Sequence, residues 1–531
     1  MKKIILSLIC ALFTGLLLAQ VQQKSDSFKE PDGWTKLIQL RNNNTGLIEI
    51  TEKEGANFTL YNPKHKIISS GKLNLVKTND HLRYAQVEGV YDINGDFCVF
   101  VVGTEPENKK VPVFFRIIVD GNTGKLKNEE VIDKLPELSM GAAMGMLFGD
   151  TDVPTFKVEK DPESDYYAVI KYNTTAAETK DRIEISHYGP DHKIINKAKY
   201  NTPTDKYKYT KYLSCYVHGA DYVLVGTCAF NTKKSGGLDM RYYVAQLNNG
   251  KTTFIQKELQ YTTYDKSASA FFIYNKPKDK INMILIIDNL QVNQNINPTS
   301  LELDNPYVSD FTSLNNFYKT QMGNKKDFAG MLEGSFVDKN GNITFLYQQL
   351  TKMTKRSSIG MPSMVEACRF GDVALVTMSP EGKEISSTAF PLNIFRKGDH
   401  DPFCYNNASK GRKVNGGFTP VADNDWYYGI DFISTENGSY LFFNNRLDNM
   451  EKPEDKDAGA INGISGTTGV KYTYKGGKIT KDYMFGKPAN KKVATFINPG
   501  SSDYNASTNT YATLTIFPED KTAHVVWIKL D

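Results

Sequence analysis

A repeated pair of β-hairpins constrains the fold of this chain more than any other feature of the sequence. In residues 209–259, four short strand-like runs alternate with turns at 218–221 and 248–251 and a polar loop at 231–239. Apolar runs that flank turns containing Gly or Asn are typical of antiparallel hairpins. We therefore predict that this segment is one four-stranded antiparallel unit.

The same pattern recurs elsewhere in the chain. The other repeats are 35–75, 82–132, 154–200, 268–332, 331–391 and 427–485, of which 268–332 fits most loosely. Internal repetition of one supersecondary unit is the signature of a repeat architecture. No amphipathic helix of ordinary length stands between the repeats, so the pattern indicates a β-propeller.

We predict an all-β fold, a β-propeller of about seven four-stranded antiparallel blades, with six or eight blades as alternatives. The final hairpin, 510–517 and 524–530, lacks a second half. We expect it to join the N-terminal unit and close the ring, because closure removes exposed strand edges. Tandem β-sandwiches, which also use short strands and regular turns, are the alternative fold.

The first residues predict export. Lys2 and Lys3 precede an apolar run from Ile4 to Leu18, and Ala19 stands before a polar stretch, which is the plan of a secretory signal peptide. The run is shorter than the ~20 residues that a membrane-spanning helix needs.

These features divide the chain into three parts. We predict a signal peptide at 1–19, an N-terminal linker at 20–34 and a single propeller domain at 35–531, with an uncleaved anchor as the alternative. The predicted location is secreted, periplasmic or at the cell surface, with no transmembrane segment after cleavage.

Charge and cysteine content exclude several functional classes. The chain has 64 basic and 60 acidic residues, and removal of Lys2 and Lys3 leaves 62 against 60. This balance argues against a nucleic-acid partner. Of the six cysteines, Cys10 lies in the signal peptide, and the remaining five are an odd, sparse set rather than a disulfide framework. We predict buried free thiols.

Loop lengths predict which face of the propeller binds a partner. Loops between the second and third strands of a blade emerge on the same face as loops between blades. Most of the excess length lies in such loops, at 289–313, 351–371, 392–426 and 446–467. We call this the long-loop face and the opposite one the short-turn face. Long loops on a rigid scaffold commonly carry binding residues, although insertions are also tolerated without a function.

The first group of candidate binding residues is Arg396, Asp399, His400 and Asp401, the densest polar cluster of the long loops. Carboxylate and imidazole groups can ligate a metal or act as a general base. Adjacent residues rarely converge on one ion, however, so we predict no metal here and keep a solvated loop as the alternative.

The second group is Asp423, Asp425, Trp426 and Tyr427, which places aromatic rings beside carboxylates. Aromatic faces with flanking carboxylates are suited to holding sugar rings. Packing of the same aromatic side chains at a strand edge is the alternative.

No cofactor is predicted. The turns at 92–96 and 338–342 resemble the first half of a calcium loop, and calcium at these turns is kept as an alternative. Both lack the glutamate that completes an EF-hand site, and both stand where a hairpin needs a turn. Common catalytic signatures, such as GxSxG, HExxH and the P-loop, do not occur in the sequence.

The Ala19/Gln20 junction and the repeated turns that end in Gly-Lys resemble the secreted, Lys-, Asn- and Tyr-rich β-repeat proteins of Bacteroidota cell envelopes. The resemblance extends over the whole chain and implies an envelope location. We predict a non-enzymatic binding or scaffold protein that recognises a glycan, peptide or protein partner through its long-loop face.

Two other functions remain open. One is a polysaccharide-active propeller enzyme, a hydrolase or lyase, with carboxylates drawn from Glu366, Asp399, Asp401, Asp423 and Asp425. The other is a structural component of an envelope assembly. The sequence does not predict an oligomeric state.

Overall fold

The structure, a computed structural model, describes residues 22–530 except for 52–54, 109–110, 140–151, 177–178, 204–205, 232–239, 262–267, 288–289, 356–363, 398–428, 454–457, 462–465, 491–494 and 518. The strands of the described ranges form eight antiparallel sheets, which are the blades of a β-propeller. The predicted fold is confirmed, with eight blades instead of seven.

The first four blades follow the predicted repeats closely. Blade one contains β3 (Trp34–Gln39), β4 (Thr45–Thr51), β5 (Gly55–Tyr61) and β6 (Ile67–Lys72). Blade two contains β7 (Gln86–Ile93), β8 (Asp96–Thr104), β9 (Pro112–Val119) and β10 (Leu126–Lys134). Blade three contains β11 (Thr155–Lys160), β12 (Tyr167–Tyr172), β13 (Ile183–Tyr188) and β14 (Ile194–Lys199). Blade four contains β15 (Tyr209–His218), β16 (Tyr222–Phe230), β17 (Met240–Asn248) and β18 (Ile255–Glu258).

The next three blades carry the longer insertions. Blade five contains β19 (Ser269–Asn275), β20 (Lys280–Ile287), β21 (Leu290–Ile296) and β22 (Tyr307–Val308). Blade six contains β23 (Met331–Val337), β24 (Ile343–Lys355), β25 (Met364–Met378), β26 (Glu384–Phe390) and the added strand β27 (Ile394–Lys397). Blade seven contains β28 (Asp431–Thr435), β29 (Gly438–Arg446), β30 (Thr467–Lys475) and β31 (Lys478–Tyr483).

Blade eight is built from both ends of the chain. Its C-terminal strands are β32 (Phe496–Ile497), β33 (Asp503–Asn505), β34 (Thr510–Phe517) and β35 (Thr522–Lys529), and β1 (Gln22–Lys24) and β2 (Phe28–Lys29) pair with β35 from outside. The final hairpin therefore forms a blade of its own and does not join the N-terminal unit. Part of the predicted linker 20–34 is strand. The strands β1 and β2 that complete this blade lie almost 500 residues before β35 in the sequence. Because its strands are not consecutive, the blade does not appear as a local repeat.

Helices are few in the described chain. They are α1 (Thr312–Thr320), α2 (Leu447–Met450) and short 3₁₀ turns at Asn79–Tyr84, Thr179–Asp181 and Lys276–Lys278. Helix α1 lies in the loosely fitting repeat and buries Leu314 and Tyr318 between blades five and six. No helix among the described residues is long and apolar enough to cross a membrane.

The core is divided into interfaces between neighbouring blades. One hydrophobic cluster fills each interface, for example blade one against two and blade eight against one. The inner strands of a blade are therefore covered on both faces, and all eight residues of β9 are buried. The outer strand β6, by contrast, is almost wholly exposed. Because both faces of an inner strand pack, these strands read as continuous apolar runs instead of alternating ones.

The long-loop face differs from its prediction in blade six. Residues 351–371 were expected to form a loop, but β24 and β25 extend as a hairpin with pairs such as Leu350↔Phe370 and Lys352↔Cys368. Strand β27 pairs with the outer part of β25. Part of the predicted loop 351–371 is therefore a three-stranded extension of the sheet of blade six.

Hydrogen bonds stabilise the turns of the short-turn face and link turns of neighbouring blades. Asp92 accepts from the backbone N of Gly95 (2.9 Å) within its own turn and from the backbone N of Arg41 (2.7 Å) in blade one. Asp338 accepts from the backbone N of Asn340 and of Asn342, both at 2.8 Å. The two turns that resemble calcium loops thus use their first carboxylate to stabilise the turn itself.

The predicted state of the cysteines is confirmed for those that the structure describes. Cys98, Cys215, Cys228 and Cys368 are buried thiols that form no disulfide bond. Cys404 lies outside the described residues.

Candidate functional site

Most of the binding residues predicted from the sequence lie outside the described residues. These are Asp399, His400, Asp401, Asp423, Asp425, Trp426 and Tyr427. Arg396 is described: it lies in β27 opposite Cys368 and is only 3% exposed. Arg396 was expected on an open loop, but it is buried because β27 adds to the extended sheet of blade six.

The structure places a cleft of about 500 Å³ on the short-turn face, between blades two and three. This volume lies within the range of small-molecule sites in proteins. We call it the Arg116 cleft. Its lining residues are Asn94, Asp96, Arg116, Ile118, Lys127, Asn128, Glu130, Pro190, Asp191 and His192.

Strand register and two turns bring these side chains together. Arg116 on β9 lies directly opposite Glu130 on β10. Asn94 and His192 occupy turns of blades two and three with φ values of 55° and 62°. The left-handed region is tolerated by Asn and His better than by most residues, so both turns can place a polar side chain there.

Arg116 is a buried residue of the cleft lining, and its side chain is fixed by several hydrogen bonds. Its Nε donates to Glu130 Oε1 at 2.8 Å, its Nη1 donates to the hydroxyl of Tyr167, and its Nη2 donates to the carbonyl of His192 at 3.3 Å. The guanidinium also lies 5.4 Å from the ring centroid of Tyr188. Arg116 is only 4% exposed. Burial of its charge is tolerated because each of its three side-chain nitrogens donates a hydrogen bond.

The second cation of the lining is neutralised in the same way. Lys127 Nζ lies 2.7 Å from Asp96 Oδ2, and this hydrogen bond raises the pKa of Lys127. On the opposite wall, Asp191 pairs with Lys193 at 3.0 Å, and this bond lowers the pKa of Asp191. Each ion of the lining therefore has its counter-ion in place.

Three groups that could act as nucleophiles or bases are held in their neutral forms. Burial, with the nearby Asp96, raises the pKa of the Cys98 thiol. Burial likewise raises the pKa of Tyr167. Burial, with the charge of Arg116, lowers the pKa of His192 to about 4. At neutral pH the cleft is thus lined by an uncharged imidazole, and a neutral thiol and a neutral phenol are buried next to it.

The sequence contained one signal for this site that the predictions did not use. Arg116 interrupts the apolar run Pro-Val-Phe-Phe-Arg-Ile-Ile-Val of β9. A charged residue inside a strand that is otherwise fully apolar indicates a buried ion pair, since an unpaired charge there is very costly. Its partner on the next hairpin strand is a glutamate.

Metal binding finds no support in the described residues: no group of three or more His, Cys, Asp or Glu side chains there has a suitable arrangement. The predicted acidic and imidazole residues of 399–401 lie outside this part of the chain.

Comparison with known proteins adds little on function. No family model matches the sequence, and no curated protein matches it. Among solved structures, the Dos1 propeller is 7% identical, with 96% of this chain and 97% of that chain covered and a TM-score of 0.42. The polysaccharide lyase Uly1 is 9% identical, with 84% and 90% covered and a TM-score of 0.35. Prolyl oligopeptidase B from Galerina marginata is 8% identical, with a TM-score of 0.39; 93% of this chain is covered, and it spans 56% of the peptidase. We draw nothing about function from likenesses this distant.

Proposed function

We propose that the protein is an exported binding protein, without a catalytic role, that recognises an uncharged polar ligand in the Arg116 cleft. The observation that carries this proposal is the charge pairing of the lining. Arg116 is matched by Glu130, Lys127 by Asp96 and Asp191 by Lys193. A charged ligand would have to compete with these pairs, whereas an uncharged ligand can bond to the groups that remain open.

The neutral state of the reactive side chains supports binding over catalysis. A thiol must ionise to become a good nucleophile, and burial opposes ionisation of Cys98. His192 has a pKa of about 4, well below the range suited to proton transfer near neutral pH. The cleft therefore offers hydrogen bonds but no activated group.

Export and a second contact surface complete the proposal. Residues 1–19 would direct the chain out of the cytoplasm. On the long-loop face, Asp399, His400, Asp401, Asp423, Asp425, Trp426 and Tyr427 stay the candidates for a glycan, peptide or protein partner. The cleft is lined by turns of the short-turn face, opposite the face on which these residues are predicted, so we propose two separate binding surfaces.

The direct experiment is a ligand screen with the mature chain, residues 20–531, against arrays of glycans and of peptides. Each hit is then measured by isothermal titration calorimetry with the wild type and with Glu130→Gln. We expect a ligand whose affinity falls in the variant. If no array component binds, or if every hit binds the variant as tightly as the wild type, the proposed function is wrong.

A further inference from the structure

The hydrogen-bonding groups that stay open in the Arg116 cleft define the ligand more narrowly. Glu130 Oε1 accepts from Arg116 and, at 3.2 Å, from Asn128 Nδ2. Its second oxygen, Oε2, accepts no hydrogen bond within the described part of the chain, and the side chain is 33% exposed. One carboxylate oxygen is thus available beside a carboxylate oxygen that is already fixed.

Asn94, in a turn that lines the cleft, supplies an open amide. Its backbone N donates to Asp165 Oδ2 at 3.0 Å, which fixes the turn, while its exposed side chain makes no hydrogen bond to any described residue. An amide offers both a donor and an acceptor. Lys127, whose side chain is 54% exposed, uses one of its three donors on Asp96.

This set of groups suits hydroxyls. Each hydroxyl of a ligand is a donor and an acceptor at once, so it can donate to Glu130 Oε2 and accept from Asn94 or Lys127. The apolar lining residues, Ile118 and Pro190, can contact the C–H surface between hydroxyls.

From these contacts we infer that the ligand of the Arg116 cleft is a neutral, polyhydroxylated ring, that is, an uncharged sugar unit of a glycan, bound through neighbouring hydroxyls. This inference rests on the proposed function, since it names the class of ligand for the same cleft. It excludes uronate, sialylated and sulfated sugars as preferred ligands, because their charge finds no unmatched cation in the lining.

Two variants remove the open groups without disturbing the turns. Asn94→Gly deletes the amide and keeps a residue that adopts the positive φ of 55°. Its matched control is Asn43→Gly, at the corresponding turn of blade one, with φ 62° and outside the lining. Glu130→Gln removes the charged acceptor; its control is Glu184→Gln on β13, where Glu184 pairs with Lys197 at 2.8 Å away from the cleft.

The experiment is calorimetric titration of the mature chain and the four variants with three probe sets. The sets are neutral glycans (maltose, cellobiose, lactose, mannobiose and the neutral members of a glycan array), acidic glycans (sialyllactose, oligogalacturonate and heparin fragments) and a mixed peptide library. We expect a neutral glycan to bind best. Its affinity should fall about tenfold or more in Glu130→Gln and about three- to tenfold in Asn94→Gly, as for loss of a charged and a neutral hydrogen bond. Both controls should bind like the wild type.

The outcomes separate the inference from the proposed function. If an acidic glycan or a peptide binds best and loses affinity in Asn94→Gly, the cleft is a binding site and only the sugar assignment is wrong. If a neutral glycan binds with equal affinity to all five proteins, the cleft is not its site and the inference is overturned. If no probe of any set binds, both the inference and the proposed function are overturned.

Discussion

The hydroxyl of Tyr167 and Nδ1 of His192 are joined by a hydrogen bond of 3.1 Å, and a third residue bonds to the same hydroxyl. Arg116 Nη1 also bonds to the Tyr167 oxygen, and a guanidinium can only donate. The phenolic oxygen therefore accepts from Arg116. On the other side of the ring, His192 Nε2 faces Cys98 Sγ at 3.8 Å.

This neutral histidine predicts a loss of stability in mild acid. His192 and His187 both have a pKa of about 4 in the folded chain, against 6.5 for an unperturbed imidazole. As the pH falls below 6.5, the unfolded chain takes up these protons first, so the free energy of unfolding decreases down to about pH 4. Below that pH both states are protonated and these groups cause no further loss.

Urea unfolding at pH 7.5, 6.5, 5.5 and 4.5 measures this effect. We expect His192→Asn, which tolerates the positive φ of 62°, and His187→Gln, which keeps a donor for the Gly219 carbonyl, to flatten the slope between pH 6.5 and 4.5. A slope identical to that of the wild type in both variants would show that these histidines are not held neutral.

Loss of the Arg116 side chain should destabilise the fold strongly. Arg116→Ala leaves Tyr167 without this donor and Glu130 without its counter-ion, and removal of one partner of a buried pair costs about 3 kcal/mol or more. Lys29→Ala breaks an ion pair whose side chains are 79% and 68% exposed, so it should cost less than about 1 kcal/mol. Urea unfolding of the two variants gives the comparison, and equal midpoints would contradict the assigned burial of the Arg116 pair.

Ring closure by the N-terminal strands predicts a second stability effect. The backbone N of Ser25 donates to the Val525 carbonyl at 2.9 Å, and Ser25 Oγ accepts from the Val525 N at 3.0 Å. Ser25→Ala should therefore cost about 1 kcal/mol. A mature chain that begins at residue 30 should lose several times more and should aggregate, because the outer edge of β35 becomes unpaired.

Thermal unfolding followed by light scattering tests the closure. The exposed substitution Asp26→Ala serves as the control and should behave like the wild type. If the chain that begins at residue 30 unfolds at the wild-type temperature without aggregating, β1 and β2 do not close the ring.

The residues predicted on the long-loop face give a separate test. If they bind a partner, a variant with Asp399, Asp401 and Trp426 all changed to Ala should lose at least tenfold in affinity for that partner, as expected when an aromatic anchor is removed. Ligands of the Arg116 cleft should bind this variant normally. Pull-down and calorimetry with any partner that co-purifies with the full mature chain would measure it, and unchanged binding of every partner would remove these residues as candidates.

Most of the blades could be predicted from the sequence because each is local in the chain. The turn between Asp92 and Asp96, for example, needs a carboxylate for the Gly95 N and a glycine with positive φ, and both requirements are visible as residue types. The eighth blade could not be predicted in this way. Its pairing of Phe28 with Ala523 is a contact between the two ends of the chain, which no turn signal marks.

The candidate site was harder to predict for a similar reason. Loop length drew attention to the long-loop face, whereas the cleft is formed by short turns of blades two and three and by strands of blade two. The pair of Arg116 and Glu130 is local to one hairpin and was open to prediction from the charge inside β9. The contacts from Arg116 to Tyr167 and His192 depend on how blade three packs against blade two, which the sequence pattern does not specify.

Hydroxyl-radical footprinting of the mature chain, with and without the neutral disaccharide that binds most tightly in the titrations, tests most directly whether the Arg116 cleft is the binding site. Protection is read by mass spectrometry at oxidisable, solvent-accessible side chains of the lining, chiefly Pro190 and His192. We predict that the ligand protects these two residues and leaves 398–428 unchanged. Protection confined to 398–428, with full oxidation of the cleft residues, would contradict the assignment and place binding on the long-loop face.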